Sequence, residues 1–318
     1  LEHDPPPDLI LWPETMAPPG VFDRRLQERR REWLRRHGAM RPTKRWQAIR
    51  DDYRKYARRL ARFRPLQERA TLVVSANSCP DPTEPDVCYN SAFLLPEGEG
   101  GGPERRYDKI HLVPFGEYVP LRGLLGWAIG PLVPYDLSPG DEGRLFEIDG
   151  WTFAPTICFE DAFPGLVADF AREPGGADFI VNLTNEGWFK DGSELDQHLA
   201  IAVFRAVECR AGFIRAANTG ISAFIEPTGR IRKRLVVDGR DREVAGVLHG
   251  VATTSREESA YLVAGEWFGT VCAVAWFFCL LVAGSGRIRN GLRRRLGKAG
   301  AAGAAAIALV AAGPTVYN

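Results

Sequence analysis

Short apolar runs bounded by Pro, Gly, Asn or Asp recur through most of the chain and predict strands. "DLILWPE" predicts a buried strand from Leu9 to Trp12, ended by Pro13. Further runs are "ATLVVSAN" (70–77), "VCYNSAFLL" (87–95), "RLFEIDGWTFAPTIC" (144–158) and "ADFIVNLTN" (177–185). Asp149-Gly150 divides the run at 144–158 with a hairpin turn. "GFIRAANTGISAFIEPTGRI" continues as paired strands turning near Pro227 to Gly229, and "REVAGVLHGV" (242–251) adds another strand. Helical spacing appears in "FPGLVADFA" (163–171) and "DQHLAIAVFRAVECRAG" (196–212). The Arg-rich segment 24–69 places Leu26, Trp33, Leu34, Tyr53, Tyr56 and Leu60 at roughly helical intervals, with "RPTK" at 41–44 splitting it into two helices. Strands and helices that alternate along one chain predict an α/β architecture, a central sheet covered by helices.

The pattern changes near the C-terminus. From Trp267 to Ala283 no residue is charged: "WFGTVCAVAWFFCLLVA". With the flanking "YLVAGE" the stretch reaches roughly 23 residues, about 35 Å as a helix, which predicts a membrane span over 261–285. Trp267 near its start and Arg287, Arg289, Arg293, Arg294, Arg295 and Lys298 beyond its end suit an aromatic belt and a cytoplasmic basic flank. The α/β domain, residues 1–256, is then expected on the opposite face of the membrane. A basic, then Ala/Gly-rich tail covers 286–318, and its apolar part, 299–313, is open between a weak second span and a disordered end.

Composition narrows the class only slightly. The 318 residues are 45% hydrophobic and 25% charged, ordinary values for a folded protein. Lys+Arg 41 against Asp+Glu 40 leaves no global field to draw the chain to nucleic acid. The six Cys show no metal-ligand spacing. Cys79 and Cys88 flank a Pro/Asp-rich loop, a pair suited to a disulfide in an oxidising compartment.

"PTICFEDAFP" (155–164) carries the chemical question. Cys158 ends an apolar strand, and it is either a buried structural thiol or a nucleophile presented on a strand-to-helix turn. Glu14 follows "LILWP" where a strand meets a loop, and Lys109 stands in "YDKIHLVPFGEYVP". A thiol, a carboxylate to take its proton and a cation to hold an oxyanion are the three roles that acyl chemistry needs. His198 suggests a Cys/His dyad, but beside Leu199 and Ile201 it reads more readily as a core or capping histidine.

The ordered set "WPE", "YDKIHLVPFGEYVPL", "ICFEDAFP", "NLTNEGWF" and "QHLAIAVFRAVECRAGFIRAANTGISAFIEPTGRI" resembles the nitrilase, or carbon-nitrogen hydrolase, superfamily. More narrowly it resembles the bacterial apolipoprotein N-acyltransferases, over most of residues 8–285. The resemblance implies an α-β-β-α sandwich followed by a transmembrane helix, and a catalytic triad of Glu14, Lys109 and Cys158. It implies the backbone N–H of Phe159 as an oxyanion donor, and Glu117, Glu160, Asn90 and Trp188 as supporting positions. Phe159 stands where the family has Tyr, Glu186 where it has Asp and Lys190 where it has Gly. The apolar segment 119–134 is expected to form an arm near the site that admits acyl chains.

The implied activity moves an acyl chain from a phospholipid, through a thioester on Cys158, to the N-terminal amine of a diacylglyceryl-modified apolipoprotein. The partners are therefore lipid, lipoprotein and bilayer, with no nucleic acid, metal or cofactor. The implied location is the bacterial inner membrane, with the catalytic domain on its periplasmic face. Because the chain starts at "LEHDPPPDLILWPE", the family's leading helical bundle and first strand are expected to be missing. Two other readings compete: an amidase that hydrolyses a small amide with the same triad, and an inactive remnant that binds lipid or a partner.

Overall fold

The computed structural model describes residues 6–17, 66, 68–78, 87–98, 105–123, 136–172, 175–255 and 257–284. The expected helices of 24–65 and most of the arm at 119–134 lie outside these residues. Two compact units divide the chain, Leu1–Val263 and Ala264–Asn318.

In the first unit, strands β1 (Leu9–Ala17), β2 (Thr71–Ser78), β3 (Tyr89–Leu95) and β4 (Arg105–Asp108) form one sheet in that spatial order. Strands β5 (Phe146–Ile148), β6 (Trp151–Ile157), β7 (Phe179–Asn185), β8 (Gly212–Asn218), β9 (Ala223–Ile225) and β10 (Ile231–Arg234) form the other, ordered β10-β9-β8-β7-β6-β5. The pairs β6–β7 and β7–β8 are parallel, with helices α1 (Pro164–Arg172) and α2 (Glu194–Cys209) as their crossovers.

The two sheets share a core. Val73, Ala92, Leu94 and Tyr107 of the first sheet pack with Phe146, Phe153, Ile157 and Leu183 of the second, all almost fully buried. Val167 and Phe170 of α1, and Leu195, Leu199, Ala202 and Ala206 of α2, join the same core. The first sheet also buries its other face, where Leu72, Val74, Ala76, Phe93 and Leu95 cluster with Leu66 packed against them. Strands buried on both faces read as continuous apolar runs, which is why "TLVVSA" shows no alternation.

Two expectations needed correction, and one strand was missed. Pro13 does not end β1, which continues to Ala17 with a register shift between Trp12 and Ala17. β1 lies at the sheet edge, where a missing N–H and a bulge are tolerated. Residues 242–251 form no strand. Within them Gly250 packs against the Phe224 ring of β9, where a side chain would collide. β4 was not anticipated, because its four residues "RRYD" carry three charges and no apolar run. The hairpin at 149–150 is present, with positive φ at both Asp149 (49°) and Gly150 (80°), as a tight turn between right-twisted strands requires.

Helix α3 is the short Ala260–Ala264. In the second unit, helix α4 (Trp267–Gly284) has 18 residues and carries no charge. At that length it measures roughly 27 Å, shorter than the ~35 Å stretch expected from sequence. Among the described residues no helix is long and apolar enough to cross a membrane.

Candidate active site

One strand interior and two strand ends deliver the site. β1 places Glu14, the residue after β4 is Lys109, and the residue after β6 is Cys158. Cys158 has φ 54°, a left-handed conformation that a non-glycine side chain adopts at a cost. It opens a 3-10 turn, Cys158–Ala162, so the thiol leaves the strand abruptly and remains partly accessible.

Glu14 is buried against this turn. The Asn90 amide donates to Glu14 Oε1 at 2.6 Å and to Glu117 Oε1 at 3.1 Å. The Ser75 hydroxyl donates to Asn90 Oδ1 at 3.3 Å and fixes the amide's orientation. The Asn185 N–H donates to Glu14 Oε2 at 2.8 Å. Lys109 is fully buried, with its Nζ 2.9 Å from Glu117 and 3.9 Å from Glu14 Oε1. The Val113 N–H holds Glu117 Oε2 at 2.8 Å. The structure thus brings Glu14, Lys109, Glu117 and Asn90 into one hydrogen-bonded cluster beside Cys158.

Charge balance in this cluster sets the proton positions. One cation faces two carboxyls and a thiol. Burial pushes the Glu14 carboxyl up, and Glu117 adds to this, against the pull of Lys109. Burial and the Glu14 charge push the Cys158 thiol up to about 12. Burial disfavours the Lys109 charge, but Cys158, Glu14 and Glu117 outweigh it and hold the ammonium above its usual range. The cluster therefore rests as thiol and ammonium, with a carboxyl poised between them.

Glu160 serves the turn instead of the lysine. Its Oε2 accepts from the Ile157 N–H at 2.8 Å, and its Oε1 from the N–H groups of Ile110 (2.7 Å) and His111 (3.2 Å) and the Tyr107 hydroxyl (2.8 Å). This one carboxyl ties the Cys158 turn to the chain just after Lys109. Phe159 points outward, 37% exposed, with its ring near those of Phe163 and His198. Trp188 is 85% exposed on the loop after β7.

His198 is buried and unavailable to Cys158. Its Nδ1 lies 2.6 Å from Glu186 Oε1 and its Nε2 2.7 Å from Asp161 Oδ1. Burial opposes its charge, but Asp161 overrides this and raises its proton affinity, and a carboxyl oxygen faces each ring nitrogen. Arg215, fully buried on β8, pairs with Glu186 and reaches Asp161 at 3.4 Å. Arg215 and His198 thus face Asp161 and Glu186 beneath the turn, the kind of pairing that buried ionisable groups need. Asn182 links this network to the Cys158 turn by donating to the Cys158 carbonyl at 2.9 Å. Sequence reasoning did not single out Arg215, Asn182 or Thr184. The available signals were an Arg inside the apolar strand "GFIRAAN" and two polar residues at alternate positions of "FIVNLTN".

Residues 5–241 match the family described as carbon-nitrogen hydrolase. The chain belongs to that family. Among curated proteins it is 34% identical over 271 residues to the apolipoprotein N-acyltransferase of Geobacter metallireducens, covering 84% of this chain and 44% of that protein. It is 32% identical over 323 residues to apolipoprotein N-acyltransferase 1 of Treponema pallidum, covering 93% of this chain and 51% of that protein. The chain therefore spans about half the length of these relatives. A carbon-nitrogen hydrolase superfamily protein of Xanthomonas campestris superposes with TM-score 0.48 at 20% identity, covering 86% of each chain.

Among the described residues no group of three or more His, Cys, Asp and Glu is arranged to hold a metal ion.

Proposed function

We propose that this chain carries the acyl-transfer centre of a membrane-bound N-acyltransferase, with a phospholipid as donor and a diacylglyceryl-modified apolipoprotein amine as acceptor. One observation carries the reading: a buried Glu14–Asn90–Glu117–Lys109 cluster beside a cysteine held at positive φ on a strand-to-helix turn. The names of the relatives supply the substrate class.

In the first half-reaction the Cys158 proton passes to Glu14 as sulfur bonds to the ester carbonyl carbon. The carbonyl π pair moves to oxygen, where the Lys109 ammonium and the Phe159 N–H stabilise it. Collapse breaks the ester C–O bond, and Glu14 returns its proton to the departing glycerol oxygen, leaving a thioester and a lysophospholipid. In the second half-reaction the lipoprotein amine attacks the thioester. Glu14 takes the amine's proton, a C–N bond forms and the C–S bond breaks. The proton returns to sulfur, closing a ping-pong cycle.

The location proposed is the inner membrane, with residues 1–256 on the periplasmic face, 261–285 as the anchor and 286–318 as a cytoplasmic tail. Cys88 is disulfide-bonded, which favours an oxidising compartment; Cys79 lies outside the described residues. The exposed apolar side chains of α4 favour an anchor in lipid.

Intact-protein mass spectrometry after incubation with phospholipid in detergent tests the chemistry, comparing the wild type with Cys158→Ala. The expected result is a hydroxylamine-sensitive acyl adduct on the wild type alone. No adduct, together with turnover of small soluble amides, would replace transfer by amidase chemistry.

A further inference from the structure

β7 presents three polar groups to the site in succession. Asn182 donates to the Cys158 carbonyl at 2.9 Å and to Thr156 Oγ1 at 3.1 Å. The Asn185 N–H donates to Glu14. Between them lies Thr184, fully buried on the same face as Asn182. Among the described residues its Oγ1 has no partner of full hydrogen-bond geometry, and the group it lies beside is the Cys158 thiol. Ile157 is in register with Leu183, so Cys158, one residue beyond the last pairing, runs alongside Thr184.

A buried hydroxyl left without a partner is costly, and native structures retain one where a ligand or a reacting group completes it. We propose that the Thr184 hydroxyl is a catalytic donor to the Cys158 sulfur, bonding the thiolate as the proton leaves for Glu14. This rests on the acyl-transfer reading above. A hydrogen bond to sulfur strengthens as negative charge develops on it, which is the condition for lowering a barrier. The nearness of Thr184 already favours the ionised sulfur, against burial and the Glu14 charge. The step adds no co-reactant: the hydroxyl keeps its proton, sulfur gains charge, and Glu14 receives the thiol proton. When sulfur enters the thioester and loses that charge, the bond weakens again.

The test uses the full chain in detergent and compares wild type with Thr184→Val, Thr184→Ala and Thr184→Ser. Alkylation of Cys158 by iodoacetamide is followed by peptide mass spectrometry from neutral to alkaline pH, with thermal unfolding measured alongside. Val and Ala are expected to lower the alkylation rate about tenfold at each pH, the effect of one hydrogen bond to a charged acceptor. Ser restores the hydroxyl and is expected to stay within about twofold of wild type. Ala supplies a second side chain without hydroxyl should the Val variant not fold. Equal rates in wild type and a folded hydroxyl-free variant overturn the assignment. So does a loss in Ser as large as that in Val, which would make the role one of packing. Alkylation needs no acyl donor, so it reads the thiol separately from acyl transfer. A hydroxyl-dependent rate in a protein that never takes an acyl chain upholds the Thr184–sulfur bond and overturns its part in acyl transfer.

Discussion

Cys158 is set among groups that keep its proton on. Burial and the Glu14 charge push the thiol up to about 12, and Lys109 only partly opposes them. At neutral pH the Cys158 side chain is therefore a thiol, unlike the thiolate–imidazolium pair of cysteine proteases. Iodoacetamide alkylation of Cys158 should accordingly be slow at neutral pH and keep rising with pH through the alkaline range. A plateau near neutrality would show a preformed thiolate and overturn this account. On the acyl-transfer reading proposed above, deprotonation must then accompany attack, and Glu14 is the group placed to take the proton. Its carboxyl is raised by burial, which makes it a stronger base than a solvated glutamate. Glu14→Gln keeps the shape and the partners of Oε1 but removes the base. Acyl-adduct formation should fall roughly 10²- to 10⁴-fold. An undiminished rate would move the proton acceptor elsewhere, to Glu117 or to water.

The 3-10 turn Cys158–Ala162 is the element on which the site depends, and Glu160 holds it. Burial pushes the Glu160 carboxyl up to about 7, against the Ile157 N–H, Lys109, Tyr107 and the Ile110 N–H. The folded protein thus binds this proton more tightly than the unfolded chain, whose glutamate titrates near 4.5. The stability from this group is fully present below the unfolded value and is lost as pH rises through about 7, a change of about 3 kcal/mol. Unfolding free energies measured between these pH values should fall in wild type and be flatter in Glu160→Gln. Parallel slopes would refute the linkage. The same element shows what the sequence made legible. Cys158 at the end of an apolar run, two acids after it and the Pro164 helix start were all readable, as were β2, β3, β5–β9 and both crossover helices. The use of Glu160 was not, because its four donors come from Tyr107, Ile110, His111 and Ile157, distant in sequence or main-chain. The Arg215–Glu186–His198–Asp161 network escaped for the same reason: it is assembled from β8, the loop after β7, α2 and the turn, and no local spacing encodes it.

At the scale of the whole chain, the two units pose opposite solvent problems. The first buries its apolar residues between and around two sheets. The second presents Trp267, Phe268, Val271, Val274, Trp276, Phe277, Phe278, Leu280 and Leu281 on α4, all exposed. A helix apolar on every side has no face for water and belongs in a protein core or in lipid. Its roughly 27 Å falls just short of a ~30 Å hydrocarbon core, a mismatch that local thinning or the residues flanking the helix can absorb. If α4 anchors the chain, charge at its middle is what lipid would refuse. Val274→Arg and Phe277→Arg should each oppose insertion by about 2.5–3.5 kcal/mol. Flotation with liposomes measures this directly: wild type should float with the vesicles and the double variant should remain at the bottom. Cys158 alkylation in detergent should be the same for both, because these substitutions lie in the second unit. Flotation unchanged by two arginines would mean that contacts elsewhere hold the protein to the membrane, and α4 would then need a protein partner to cover it.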